Sequence, residues 1–128
     1  MKPFAFAHGA DWQECVARLG RPGRGLGFVY FTDSLLQQAD GILAALRQRT
    51  GVQDWIGTVG TGILATGTEY QDEPALAAMV ADVESYAVFS GRSPLKGAAP
   101  HFAVVHADPG APDIAGLVSD IHMKMTSG

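Results

Sequence analysis

Hydrophobic and polar positions alternate in blocks along the chain, and each block predicts an element. Phe4 to His8 is a short apolar run, read as a buried strand. Asp11 and Glu14 then form a D-x-x-E capping pattern ahead of Trp12, Cys15, Val16 and Leu19, which recur at helical spacing up to Gly20, a stop signal. Arg21 to Gly25 is a polar, glycine-rich loop. Leu26 to Phe31 is continuously apolar, the mark of a strand covered on both faces. Asp33 or Ser34 is placed to cap a second helix whose apolar face is Leu35, Ala39, Ile42, Leu43 and Leu46. Arg47 and Arg49 suit its negative end, and Gly51 ends it.

Beyond Gly51 the period changes. Trp55 to Val59 is strand-like, and Gly57, Gly60, Gly62 and Gly67 punctuate the chain up to Tyr70. Ala75 to Val83, Tyr86 to Phe89 and His101 to His106 predict three more strands, with a patternless loop from Gly91 to Pro100. Asp113 caps a last helix with Ile114, Leu117, Val118, Ile121 and Met125 turned inward. This order predicts one domain over residues 1–128, of α/β or α+β class. A mixed β-sheet with about three helices packed on it is the expected architecture. His8 and His106 both fall where a predicted strand gives way to a helix, the edge where open α/β sheets bind ligands.

Composition narrows the functional classes. Lys and Arg number 9 against 13 Asp and Glu, and residues 50 to 91 hold six acids with no Lys or Arg. That balance argues against nucleic acid as a partner. Cys15 is the single cysteine, so a cysteine metal cluster and an intrachain disulfide are excluded. His101 and His122 make no metal spacing with the other histidines, and no metal site is expected. No signal peptide or membrane-length apolar run is present, which makes a cytoplasmic, membrane-free protein the expectation. No Gly-x-Ser-x-Gly turn or P-loop occurs. No catalytic residue is assigned. Charged residues are 17% of the chain, against roughly 25% in an average domain. So little charge predicts apolar surface in search of a partner, either a homodimer mate or further chain.

The stretch from Trp55 to Leu76 (WIGTVGTGILATGTEYQDEPAL) resembles the signature of the FIST sensory domain family, most specifically in Gly67-x-Glu69-Tyr70-x-x-x-Pro74-Ala75-Leu76. LGFVYF followed by a helix ending ILAALR, and HADP before the last helix, resemble it too. The resemblance implies a bacterial, intracellular small-ligand sensor attached to a signalling module. Its ligand would be an amino acid or similar polar metabolite; some members bind haem and respond to nitric oxide. The family often carries Gly-Cys-Ser/Thr-Gly where this chain has Gly57-Thr58-Val59-Gly60. Its domains are also longer, so the chain is expected to hold an N-terminal FIST region and to work with a C-terminal FIST region.

Three readings of the glycine segment compete: tight turns and bulges, a backbone cradle for a carboxylate, and a nucleotide phosphate loop through Gly60-x-Gly62-x-x-Ala65. The ligand-binding candidates are Gly57, Thr58, Gly60, Thr61 and Gly62, with Glu69 for a ligand amine, Tyr70 as a cover, and His8 and His106 as pocket imidazoles. Each has a plainer reading: a solvated strand carboxylate, a sheet-face tyrosine, histidines bonded to local backbone. An axial haem histidine, and a hydrolase using His8 or His106 as general base, are the alternative functions.

Overall fold

The computed structural model describes residues 2–90 and 99–125. The chain divides into two compact units, Met1–Tyr86 and Ala87–Gly128. The first holds strand β1 (Lys2–Gly9), helix α1 (Trp12–Arg18), β2 (Leu26–Thr32), a 3-10 segment (Asp33–Gln38) running into α2 (Ala39–Thr50), then β3 (Trp55–Gly60), β4 (Gly62–Ala65), β5 (Thr68–Gln71) and β6 (Leu76–Asp82). The second contains α3 (Ile114–Lys124). A four-stranded mixed sheet in the order β1-β6-β2-β3 and a two-stranded sheet of β4 and β5 make this an α+β fold.

The local signals act as their chemistry dictates. Asp11 Oδ1 accepts from the N–H groups of Gln13 and Glu14 and starts α1. Gly51, at φ 73°, ends α2 in the left-handed conformation and returns its N–H to Arg47. Arg21 adds its guanidinium to the carbonyls of Gln48 and Arg49, placing positive charge at the negative end of the helix. The predicted cap of α2 does not form. Ser34 Oγ is instead within 3.1 Å of Thr32 Oγ1, and the chain winds through the 3-10 segment that buries Leu35.

The central strands are covered on both sides, as the continuous apolar run of β2 demands. On one face Ala7, Val29, Phe31, Leu76 and Ala78 pack against Cys15, Val16 and Leu19 of α1 and Ile42 and Leu46 of α2. Ile42 and Leu46 are fully buried, each worth about 2 kcal/mol in area removed from water. On the opposite face Ile63, Ala75 and Ala77 pack with Tyr30, Ala65 and Tyr70. The β4–β5 hairpin therefore covers part of the face that the helices leave. Thr32 ties the layers at the end of β2. Its buried hydroxyl donates to the Glu73 carbonyl at 2.8 Å and accepts from the Ala75 N–H at 3.0 Å.

Three expectations fail in the second half of the chain. Tyr86 to Phe89 and His101 to His106 form no strand. Both have strand composition, but among the described residues neither finds a ladder partner, and Phe102 stays 68% exposed. His106 thus lies in irregular chain rather than at a strand end. The last helix forms, with Asp113 accepting from the Gly116 N–H, yet none of its residues is buried. Ile114, Ile121 and Met125 are half-buried, while Leu117 and Val118 are exposed. Most of the predicted loop from Gly91 to Pro100 lies outside the described residues.

Close backbone approach explains two glycines of the sheet. Trp55 lays its indole across Gly27, where a Cβ would overlap the ring. A Cβ on Gly57 would overlap the Val29 carbonyl of the neighbouring strand. Gly57→Ala should therefore cost at least about 3 kcal/mol or abolish folding. In contrast, Gly41→Ala, in an open position of α2, should add about 0.5 to 1 kcal/mol. Urea unfolding of the two variants checks the opposite signs.

Candidate functional site

The candidates fall on both edges of the main sheet and on the hairpin. Gly57, Thr58 and Gly60 lie on β3, one edge strand, and Thr61 links it to β4. His8 lies near the end of β1, the other edge strand. Three strand spacings separate these edges, roughly 14 Å. The hairpin closes that gap. β4 follows directly from β3, and β5 brings Tyr70 to the opposite edge, where its hydroxyl is 2.7 Å from His8 Nδ1.

Strand alternation sorts the hairpin residues between two faces. Tyr70 pairs with buried Ile63 and faces the sheet. Glu69 pairs with Leu64, which is 77% exposed, and faces away. The structure therefore assembles two separate groups. The outer one is Gly62, Gln71 and Glu69: Gln71 pairs with Gly62 in the ladder, and its Nε2 donates to Glu69 Oε1 at 2.8 Å. The inner one is His8, Tyr70 and Phe6, with ring centroids 5.4 Å apart for Phe6 and His8 and 5.9 Å for His8 and Tyr70. Glu69 does not share the face of Tyr70. His106 belongs to the second unit.

The glycines have structural reasons of their own. Gly57 admits the β2 backbone, and a Cβ on Gly62 would come within 2.9 Å of the Tyr70 carbonyl. Gly67, at φ 75°, makes the hairpin turn. No helix follows Gly60-x-Gly62, so the dinucleotide fingerprint lacks its helix N-terminus.

Two participants escaped the sequence reading. Phe6 is two residues from His8 on one strand face, a spacing that could have drawn attention to it. Arg18 donates from Nη2 to the His8 carbonyl at 2.7 Å and to Cys15 Sγ at 3.6 Å. Among the described residues no group of His, Cys, Asp or Glu could hold a metal ion. An open depression lined by Arg24, Gly25, Asp82, Val83 and Glu84 contains none of the expected ligand residues.

The FIST N domain family profile matches residues 25–128. The chain belongs to the FIST family. FIST domains are in general sensory, ligand-binding domains, and the match takes in Trp55 to Leu76, the segment that carries the resemblance. β1 and α1, with His8 and Phe6, lie outside the matched residues. The comparison with curated proteins gives no match, and neither does the comparison with solved structures. Among the described residues of this FIST domain no helix is long and apolar enough to cross a membrane.

Burial pushes the Cys15 thiol above its ordinary pKa, against the opposing pull of Arg18. A raised folded value favours the folded state while the thiol stays protonated. That contribution is complete below the unfolded pKa, near 8.5, and fades as the pH rises through the folded one. Cys15 should therefore react with Ellman's reagent at pH 8 at least about tenfold more slowly in the native FIST domain than in urea. Equal rates would place the thiol in solvent.

Proposed function

We propose that this chain is the ligand-sensing input of a bacterial signalling protein, acting in the cytoplasm without catalysis of its own. The ligand is an amino acid or similar small polar metabolite. Its partners are a C-terminal FIST region or signalling module, with a second copy of the chain as an alternative mate; nucleic acid and membrane are not partners. The observation that carries this reading is the FIST N match over residues 25–128. Within it, the outer face of the hairpin offers suitable chemistry. Gly62 pairs with Gln71 in the ladder, and the exposed Glu69 carboxylate stands one alternation away, bonded to Gln71. In this reading the backbone around Gly60, Thr61 and Gly62 receives the ligand carboxylate, Glu69 receives its amine, and Gly57 and Thr58 border the site.

Haem is the second reading, through His8. Its Nδ1 is engaged by Tyr70, and among the described residues Nε2 has no protein partner. An iron at Nε2 would require Tyr70 to accept the Nδ1 proton. The haem would supply a binding site for a diatomic gas. Reconstitution with hemin, followed by the Soret band with and without nitric oxide, tests this reading. An unchanged band in both His8→Ala and His106→Ala excludes both imidazoles as ligands.

The polar-metabolite reading is tested by a thermal-shift screen of amino acids against the chain. At least one should raise the melting temperature, and Glu69→Gln should weaken that ligand about tenfold, as loss of a charged hydrogen bond does. Hits whose affinity Glu69→Gln leaves unchanged would remove Glu69 from the site.

A further inference from the structure

The inner group of the hairpin has a chemistry distinct from the outer one. His8 lies on edge strand β1, which pairs with β6, and among the described residues with no other strand. Its Nδ1 meets the Tyr70 hydroxyl at 2.7 Å, and its ring contacts Phe6. Phe6 is 46% exposed although it is part of the sheet. The charge bonded to this strand end is positive: the Arg18 guanidinium, on the His8 carbonyl. The nearest acid in sequence, Asp11, has its carboxylate on the N-terminus of α1.

Either tautomer of His8 fits the 2.7 Å contact; the one that leaves a donor at Nε2 has Tyr70 donating. Among the described residues, His8 Nδ1 is the acceptor within reach of the Tyr70 O–H. With Tyr70 donating, Nδ1 accepts and Nε2 carries the proton. His8 then presents an N–H donor with no protein acceptor, fixed in orientation by Tyr70. The half-exposed ring of Phe6 beside it is free to stack. An N–H donor next to an aromatic face, near a guanidinium, suits a planar ring bearing an oxyanion.

We propose that Phe6, His8 and Tyr70 form a binding site for aromatic carboxylates, separate from the polar-metabolite site and independent of it. The ring of the ligand stacks on Phe6, and its carboxylate accepts from His8 Nε2. Tyr70 is a positioning residue that holds the imidazole in the donor tautomer. The site joins β1, outside the FIST N match, to β5, inside it. Occupancy would therefore fasten the hairpin to the edge of the sheet.

Benzoate is the probe, and the imidazole nitrogens of His8 are the readout, followed by long-range 1H–15N NMR on the intact chain. The free protein should show His8 protonated at Nε2. Benzoate should shift that signal saturably, and acetate should not. Phe6→Ala should weaken benzoate about tenfold, and Tyr70→Phe about fivefold with the tautomer redistributed. Leu64→Ala, on the other face of the hairpin, should leave the affinity unchanged. Urea midpoints of each variant separate lost binding from lost folding, and the tautomer of the unmodified chain is read without any variant. A proton on Nδ1 in the free protein overturns the proposal. So does a benzoate response that is unsaturable or equal to that of acetate.

Discussion

The structure depends on covering strands β2 and β6 from both sides. Both are apolar at nearly every position, so neither can turn a face to water as a half-buried strand does. Leu76 and Ala78 of β6 and Val29 and Phe31 of β2 lie under α1 and α2. Ala77 and Tyr30, their neighbours on the other face, lie under the β4–β5 hairpin. The helices are conventional cover. The hairpin is a smaller lid, two strands of four residues each, and it reaches across the sheet rather than extending it.

That arrangement determines where function can reside. A two-stranded sheet has little stability of its own, and this one is held at several points besides its link to β6. Its short link to β3, the packing of Ile63 against Ala75 and Ala77, and the hydrogen bond of Tyr70 to His8 all fasten it. The link to β3 and the Tyr70–His8 contact each involve residues of a proposed site. A sensory domain needs an element whose equilibrium a ligand can bias. A weakly anchored lid on a firmly packed base supplies one. The base is stiffened by close approach: Gly57 lets β3 meet the β2 backbone, and Thr32 clamps β2 to the start of β6.

The first half of the fold was legible because its signals are local. Asp11, Gly51 and the apolar run from Leu26 to Phe31 each announce an element by chemistry within a few residues. The hairpin was harder. Ile63 to Ala65 is short, and although tight turns are one reading of the glycine segment, nothing local singles out Thr66 and Gly67 as a hairpin turn. His101 to His106 shows the reverse failure: composition can suggest a strand, but only a distant partner can make one. The family resemblance was legible in Gly67 to Leu76 and agrees with the FIST N match. The division of the site residues between two faces was legible only in part. Alternation separates Glu69 from Tyr70 in sequence, whereas the contact of Tyr70 with His8, 62 positions away, depends on the path of the hairpin across the sheet.

The central claim is that the hairpin is the ligand-responsive element on a rigid sheet. Amide hydrogen exchange of the intact chain, with and without a saturating ligand found by screening, tests it most directly. The account predicts that amides of β2 and β6 exchange slowest and alike in both states, while those of β4 and β5 exchange faster in the free protein and slow on binding. Hairpin amides indifferent to the ligand, or as protected as the central strands before it is added, would contradict it.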